Sequence, residues 1–388
     1  MEFSYYNPTR LIFGDGTFAR LGKVTAPWGR HAMLVTGRSA MEKAGHLQKA
    51  QELLEAAGLE VTVFNKIPPN PQLDVISEGG QIAREAGCDV LVGLGGGSAM
   101  DSAKNIAVAA THDSLTEFLL PNEAGKKKPP TEATLPIIAV TSTAGTSSEL
   151  TPFAVVTVPD SREKTSVTGD TLYARVAIDD PELTYSMPPE VTAGTGVDVI
   201  GHAAEGYIST VANPITDLWA VRAIELVAAH LPAAVADGED PGARRGMMLA
   251  NVFAGYVLSQ NGTNMMHGVG HPISGRYPEI PHGAALATVL VTWAAMSWQR
   301  APEKFARIAR IFGVDDPDDQ EAACRTGAAL RAFLGSVNMD VRLRDLGVEE
   351  EMLEVIVDDA QRYMHHAIAK TPGEVTRKDL MHLVQASY

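Results

Sequence analysis

The chain is poor in cysteine, in aromatic residues and in positive charge. Two cysteines, Cys88 and Cys324, lie far apart among 388 residues, which excludes a disulfide framework and fits a reducing, cytoplasmic compartment. Lysine and arginine number 32 against 47 acidic residues, for a formal net charge of -15. Phosphate backbones and anionic bilayers demand clustered cations, so neither nucleic acid nor a membrane is an expected partner. The one short basic run, Lys126-Lys127-Lys128, stands before Pro129-Pro130 and reads as a solvated loop. No stretch of about 18 uninterrupted apolar residues occurs. The opening MEFSYYNPTRLIFGDG has no basic segment followed by an apolar one, so a soluble, unexported protein is expected. What is abundant is apolar residues, 45% of the chain, together with 35 glycines. A single core stops growing near ~250–300 residues, so this length predicts two domains.

Along the first half, strand and helix patterns alternate. Phe3 to Phe13 reads as an edge strand or hairpin arm, HAMLVTG (31–37) as a buried strand, and Leu47 to Ala57 as a helix. Strands at 59–64 and 89–94 bracket a helix at 73–86, and a helix at 99–110 is entered through Gly95-Gly96-Gly97-Ser98. Further strands are predicted at 134–140, 154–158 and 174–178. This alternation specifies parallel strands with crossover helices. After Asp179-Asp180-Pro181 only helical periodicity remains, over 191–210, 214–231, 243–260, 282–299, 302–312, 319–336, 349–367 and 377–386. The expected organisation is an α/β, Rossmann-like nucleotide-binding domain over 1–181 and an all-α metal-binding domain over 182–388.

Three turns in the first half have the makings of a nucleotide site. VLVGLGGGSAMDSAK sets Gly95, Gly96, Gly97 and Ser98 at a strand-to-helix junction, where backbone N–H groups and the helix terminus favour a diphosphate. Its spacing matches neither G-x-G-x-x-G nor the Walker pattern. Asp101 and Lys104 in the first helical turns can cap, pair with each other or touch ligand. TSTAGTSSE (141–149) follows another buried strand and lines up hydroxyls and N–H groups. Gly37-Arg38-Ser39 follows the first long strand, where an acidic residue would hold a ribose 2′-hydroxyl; a glycine, an arginine and a serine instead leave room for a 2′-phosphate, which favours NADP(H) over NAD(H).

The second half contains a different set. In AGTGVDVIGHAAEGY, Asp198 and His202 stand four apart, on one face of a helix. His267 lies in a glycine-rich segment, and His282 follows a proline that would open the next helix. One carboxylate and three imidazoles suit a single divalent ion, Fe²⁺ or Zn²⁺. Glu205, one turn past His202, is a candidate orienter of that histidine or a solvated charge. His271 shares a face with His267 if the segment is helical. Gly268 and Gly270 cost helix propensity, on the order of 1 kcal/mol each, and make sense if a flat ring must come close.

These segments together, FSYYNPTRLIFGDG, the PPNP loop, GGGSAMDSAK, STAGTSSE, MPPEVTAGTGVDVIGHAAEGY and HGVGHPISGRYPEIPHG, resemble the iron-containing (group III) alcohol dehydrogenase family over essentially the whole chain. The resemblance implies the dehydroquinate synthase-like/iron-dependent alcohol dehydrogenase fold, with the site in the cleft between the domains. It implies metal ligation by Asp198, His202, His267 and His282 and proton relay by His271. Dinucleotide contacts are implied at Gly95 to Ser98, Asp101, Ser142, Thr146 and Lys164, while Gly37 replaces the acidic residue many members use to choose NAD. Phe153 and Leu258 fall where members vary in the substrate pocket. The activity implied is hydride transfer between NAD(P)(H) and a small primary alcohol or aldehyde, by a homodimer or larger homo-oligomer.

Three other readings compete. A dehydroquinate synthase-like lyase would need a cationic phosphate pocket beside the metal, and Arg276 is the only basic residue between His267 and His282. A non-redox metal-dependent hydrolase leaves GGGSAMDSAK unexplained, and a non-catalytic nucleotide-binding module leaves the Asp/His set unexplained.

Overall fold

The computed structural model describes residues 2–119 and 127–388, so Lys126 of the basic run lies outside the described residues. The chain forms two compact units, one of Tyr6–Ser186 and one of Met187–Tyr388 together with the N-terminal residues through Tyr5.

The α/β unit runs β1 (Arg10–Phe13), α1 (Leu21–Thr25), β2 (His31–Gly37), α2 (Ala40–Lys43), α3 (His46–Ala56), β3 (Glu60–Ile67), α4 (Leu73–Ala86), β4 (Val90–Gly95), α5 (Gly97–Ala109), α6 (Thr116–Leu119), β5 (Ile137–Thr141), β6 (Phe153–Val158), β7 (Glu163–Thr168) and β8 (Val176–Asp179). Six strands make one parallel sheet in the order β1-β8-β5-β4-β2-β3, and β6 and β7 form a separate antiparallel hairpin. Strands β4 and β5 are buried at every position, which is why their residues read as unbroken apolar runs. Met33, Phe64, Leu91 and Ile137 pack on one face of the sheet against Ile76, Met100 and Ile106, and Leu34, Val92, Ile138 and Ile178 pack on the other against Leu21 and Leu54.

The N-terminal strand is shorter than expected. Asn7 sends its side-chain amide to the Leu150 carbonyl and accepts from the Thr9 N–H, and Pro8 has no N–H to give, so pairing begins only at Arg10. It is nonetheless an edge strand, bonded only to β8. The β2 to β4 junction is where chain progression reverses, since β3 lies to one side of β2 and β4 to the other. Open parallel sheets bind ligands beyond the carboxyl ends of their strands at such a switch point.

The helical unit opens with α7 (Pro189–Ile208), α8 (Pro214–Ala236), α9 (Pro241–Asn261), α10 (Met265–Arg276) and α11 (His282–Ser297), followed by shorter helices between Pro302 and Ala386. Among the described residues α8 alone is long and apolar enough to cross a membrane by length and composition. It carries Asp217, Arg222 and Glu225, and it buries Ala220, Ala223, Ile224, Val227 and Leu231 as a core helix does. Its start is fixed by Asn213, whose side chain accepts from the N–H groups of Ile215 and Thr216 while the Thr216 hydroxyl accepts from the Asn213 N–H.

Candidate functional site

Each unit holds one constellation. In the α/β unit, the glycine-rich turn after β4 and the 142–150 turn after β5 are built against each other. The N–H of Ser142 bonds to the Gly95 carbonyl at 2.9 Å, and Gly95 adopts φ +142°, a left-handed conformation suited to glycine. A Cβ on Gly97 would sit 2.7 Å from the Thr146 methyl and 2.8 Å from its hydroxyl, so only glycine lets the turns touch there. Gly96 caps α5, and Ser98 lies in its first turn. Beyond the switch point on the neighbouring strand stand Gly37, at the end of β2, and Arg38 and Ser39, both exposed. Arg38 Nε donates to the Lys66 carbonyl at 3.4 Å.

Two ambiguous residues find definite partners. Asp101 accepts from the Ser148 hydroxyl at 2.6 Å. Lys104, fully buried, sends its ammonium to the carbonyls of Ser148 (2.6 Å), Thr151 (2.8 Å) and Phe153 (2.8 Å), clamping the end of the second turn to α5. Burial pulls this lysine down to about 8 against the pull of Asp101 and Glu149. Lys164, on β7, is near enough to Asp101 to favour its charged form, although burial raises Asp101 overall. Behind the turn, at the end of β8, Asp179 is completely buried, and neither of its carboxylate oxygens has a hydrogen-bond partner. Burial first and the neighbouring Glu149 second push its carboxyl well above the usual range. The two cations left from the basic run are engaged: Lys127 donates to Thr165 and Ser166, and Lys128 pairs with Glu117 at 2.9 Å.

In the helical unit, α7 presents Asp198, His202 and Glu205 at spacings of four and three, one stripe on one face. The ligand atoms of Asp198, His267 and His282 lie within 4.8 Å of one another. Asp198 Oδ1 is 3.3 Å from His267 Nε2 and 3.4 Å from His202 Nε2. His202 stacks on His267, ring centroids 4.8 Å apart and nearly parallel. The His271 ring lies 6.1 Å from that of His267 and 5.3 Å from that of His282, so all five residues meet in one place. The segment carrying His267 and His271 is a helix, α10, despite its glycines and Pro272, so the condition for the two rings to share a face is met.

Glycines bring these helices into range. A Cβ on Gly283 would lie 2.0 Å from the Gly194 carbonyl oxygen, so α7 and α11 cross backbone to backbone one residue from His282 and one turn from Asp198. A Cβ on Gly201 would press on Met266 (2.7 Å) and His267 (3.1 Å). Gly268 and Gly270 answer to packing within this unit: added Cβ atoms would meet Ile368 at 2.7 Å and Leu286 at 2.6 Å.

Glu205 differs from its expected part. It holds His267, with Oε2 2.5 Å from Nδ1 and Oε1 accepting from the N–H groups of Met266 and His267. Burial pulls the His267 imidazole down, and the Glu205 and Asp198 carboxylates outweigh it, holding it up to about 9. Ser274 Oγ lies 3.0 Å from His282 Nδ1, a partner the sequence did not signal, since a serine eight residues upstream has no motif. With Nδ1 engaged on both rings, Nε2 is left for an ion, the usual outer arrangement of metal-binding histidines. One carboxylate and converging imidazoles fit Fe²⁺ or Zn²⁺. Arg276 is engaged by Asp359 at 2.7 Å. Of the two pocket candidates, Phe153 opens β6 in one unit and Leu258 lies in α9 of the other.

Comparison with known proteins bears on both units. Residues 8–181 match the iron-containing alcohol dehydrogenase family, and residues 192–388 match its C-terminal counterpart, the Fe-containing alcohol dehydrogenase family, C-terminal. The chain is 36% identical over 358 residues to a choline dehydrogenase of Bacillus subtilis, covering 92% of this chain and 88% of that protein. It is 35% identical over 370 residues to a 1,3-propanediol dehydrogenase of Klebsiella pneumoniae, covering 93% and 94%. An archaeal halo-thermophilic alcohol dehydrogenase from a Red Sea brine pool superposes with a TM-score of 0.96 at 39% identity, covering 100% of this chain and 99% of that one. The two halves of the chain, each with its own constellation, thus belong to the iron-containing alcohol dehydrogenase family.

Proposed function

We propose that this chain is a metal-dependent alcohol dehydrogenase acting as an aldehyde reductase, exchanging a hydride between NADP(H), favoured over NAD(H), and a small primary alcohol or aldehyde. The division of labour is a nucleotide-binding domain over 1–181 and a metal-binding, catalytic domain over 182–388. Asp198, His202, His267 and His282 hold the ion, Fe²⁺ with Zn²⁺ as the alternative. When bound, that ion supplies Lewis-acid polarisation of the substrate oxygen. His271 carries the alcohol proton towards water, its ring standing beside those of His267 and His282. Gly95 to Ser98, Asp101, Ser142, Thr146 and Lys164 receive the dinucleotide, and Gly37, Arg38 and Ser39 its 2′-phosphate. Phe153 and Leu258 set substrate size. The enzyme works in the cytoplasm as a homodimer or larger homo-oligomer.

The observation that carries this reading is the Asp198–His267–His282 group, oriented by Glu205, in the same chain as two mutually packed turns beyond the strand ends. The lyase reading is less well supported, because Arg276, the one basic residue between His267 and His282 in sequence, pairs with Asp359. The test is absorbance at 340 nm with iron-loaded protein across a panel of primary alcohols and aldehydes, run with each coenzyme. Turnover with higher kcat/KM for NADP(H) is expected. A metal-loaded protein inert across the panel would overturn the activity, and a strong NAD(H) preference would overturn the coenzyme assignment alone.

A further inference from the structure

The α/β unit has a cavity of about 590 Å³ at the end of its sheet opposite the nucleotide turns. Arg10, at the start of β1, and Arg175, just before the start of β8, line it, whereas the nucleotide turns follow the carboxyl ends of β4 and β5. Because every strand of the sheet is parallel, these are opposite edges. Arg20 and Lys23 complete the wall, and no aspartate or glutamate lines it. Among the described residues none of the four cations forms an ion pair.

That concentration runs against the composition, since the chain carries a net charge of -15. It also opposes local energetics. Arg20 and Lys23 are three residues apart across the turn into α1, where like charges repel by a few tenths of a kcal/mol. A fold that gathers four unpaired cations in a concave site gains a focused positive potential there. The cavity has a flat wall too: Trp28 is 41% exposed, and the Arg175 guanidinium lies 5.6 Å from its ring centroid. Tyr173, buried beneath, is pinned by its hydroxyl donating to the Tyr6 carbonyl. Three guanidiniums provide forked donors that match phosphate oxygens.

We propose that this cavity is a binding site for a polyphosphate-bearing small molecule of nucleotide size, separate from the coenzyme turns. Arg20 and Lys23 from one side and Arg10 and Arg175 from the other take the phosphates, and Trp28 receives whatever flat group the ligand carries.

Isothermal titration of the full-length protein with adenosine diphosphate and with inorganic triphosphate tests it. Both variants alter exposed side chains, so folding is retained: Arg20→Ser/Lys23→Ser, and Trp28→Phe. Saturable binding that weakens by about tenfold or more in the double variant, and with rising salt, supports the site. If adenosine diphosphate binds more tightly than triphosphate and loses that advantage in Trp28→Phe, the ligand is a nucleotide; equal binding indifferent to Trp28→Phe makes it inorganic. No saturable binding, or binding unchanged by Arg20→Ser/Lys23→Ser, as expected if the nucleotide enters only the coenzyme turns, overturns the proposal.

Discussion

At the scale of single residues, Glu205 orients the candidate metal site without belonging to the group whose ligand atoms converge. One oxygen accepts from the backbone N–H groups of Met266 and His267 and the other meets the His267 Nδ1, so the carboxylate is anchored to the backbone and the ring cannot turn without losing its contact to that anchored group. Glu205→Gln retains the shape and loses the charge. Outer partners of this kind are worth about 10–100-fold in metal affinity. Iron retained after dialysis against graded chelator should fall by that factor, with the far-ultraviolet circular dichroism unchanged. The carboxylate was visible in the sequence one turn beyond His202, but its target was not. A helical face tells which side chains leave together; it does not say which neighbouring helix they meet.

At the scale of elements, backbone contact between α7 and α11 sets the spacing of the ligands. Gly283→Ala would drive a methyl into the Gly194 carbonyl, an overlap that only helix displacement relieves. A loss of about 1–3 kcal/mol in stability is expected, read by denaturant titration, along with reduced iron content, because His282 moves with its helix. In the sheet, Asp179 makes stability depend on pH. Its folded pKa is raised above that of the unfolded chain, so the native state holds this proton more tightly. The protein is therefore penalised as pH rises from about 4, near the unfolded aspartate value, and the penalty levels off above the folded pKa. Asp179→Asn removes that dependence. The difference in melting temperature between variant and parent should shift in favour of the variant between pH 5 and pH 8; a constant difference would refute the assignment.

Elements were legible where one physical signal dominated. VLVGLG and IIAV carry no polar side chain because both faces of those strands are covered, and the helix expected over 214–231 stands out by its apolar periodicity and runs on to Ala236. Strand β7, EKTSVT, was not legible: it is half-exposed, polar, and held by its pairing with β6. Helix α10 was hidden by Gly268, Gly270, Pro272 and Gly275, residues that discourage helix in isolation and are tolerated where neighbours press close. The candidate ligands Asp198, His267 and His282, which the fold brings together, were readable as a set because one carboxylate among converging imidazoles is a rare combination. The clamp by Lys104 was not, since its acceptors are backbone carbonyls without a sequence signature.

At the scale of the whole molecule, one constellation in each unit gives each half its own ligand linkage. On the proposed assignment, an ion would stabilise only the folded state that assembles Asp198, His267 and His282. At a free iron concentration about a hundredfold above Kd the gain is about 2.7 kcal/mol. Differential scanning calorimetry with and without chelator should show a lower melting temperature for the stripped protein, and unaltered melting would place the ion elsewhere.

Insertions and deletions act on α7 quite differently from point changes. Asp198, His202 and Glu205 share a stripe, so adding one residue between Gly194 and Asp198 turns all three by about 100° while the Gly194–Gly283 crossing stays in place. A single codon gained there would cost two candidate ligands and their orienting carboxylate together. The length of this short piece of helix is thus under tighter constraint than the identity of most residues within it.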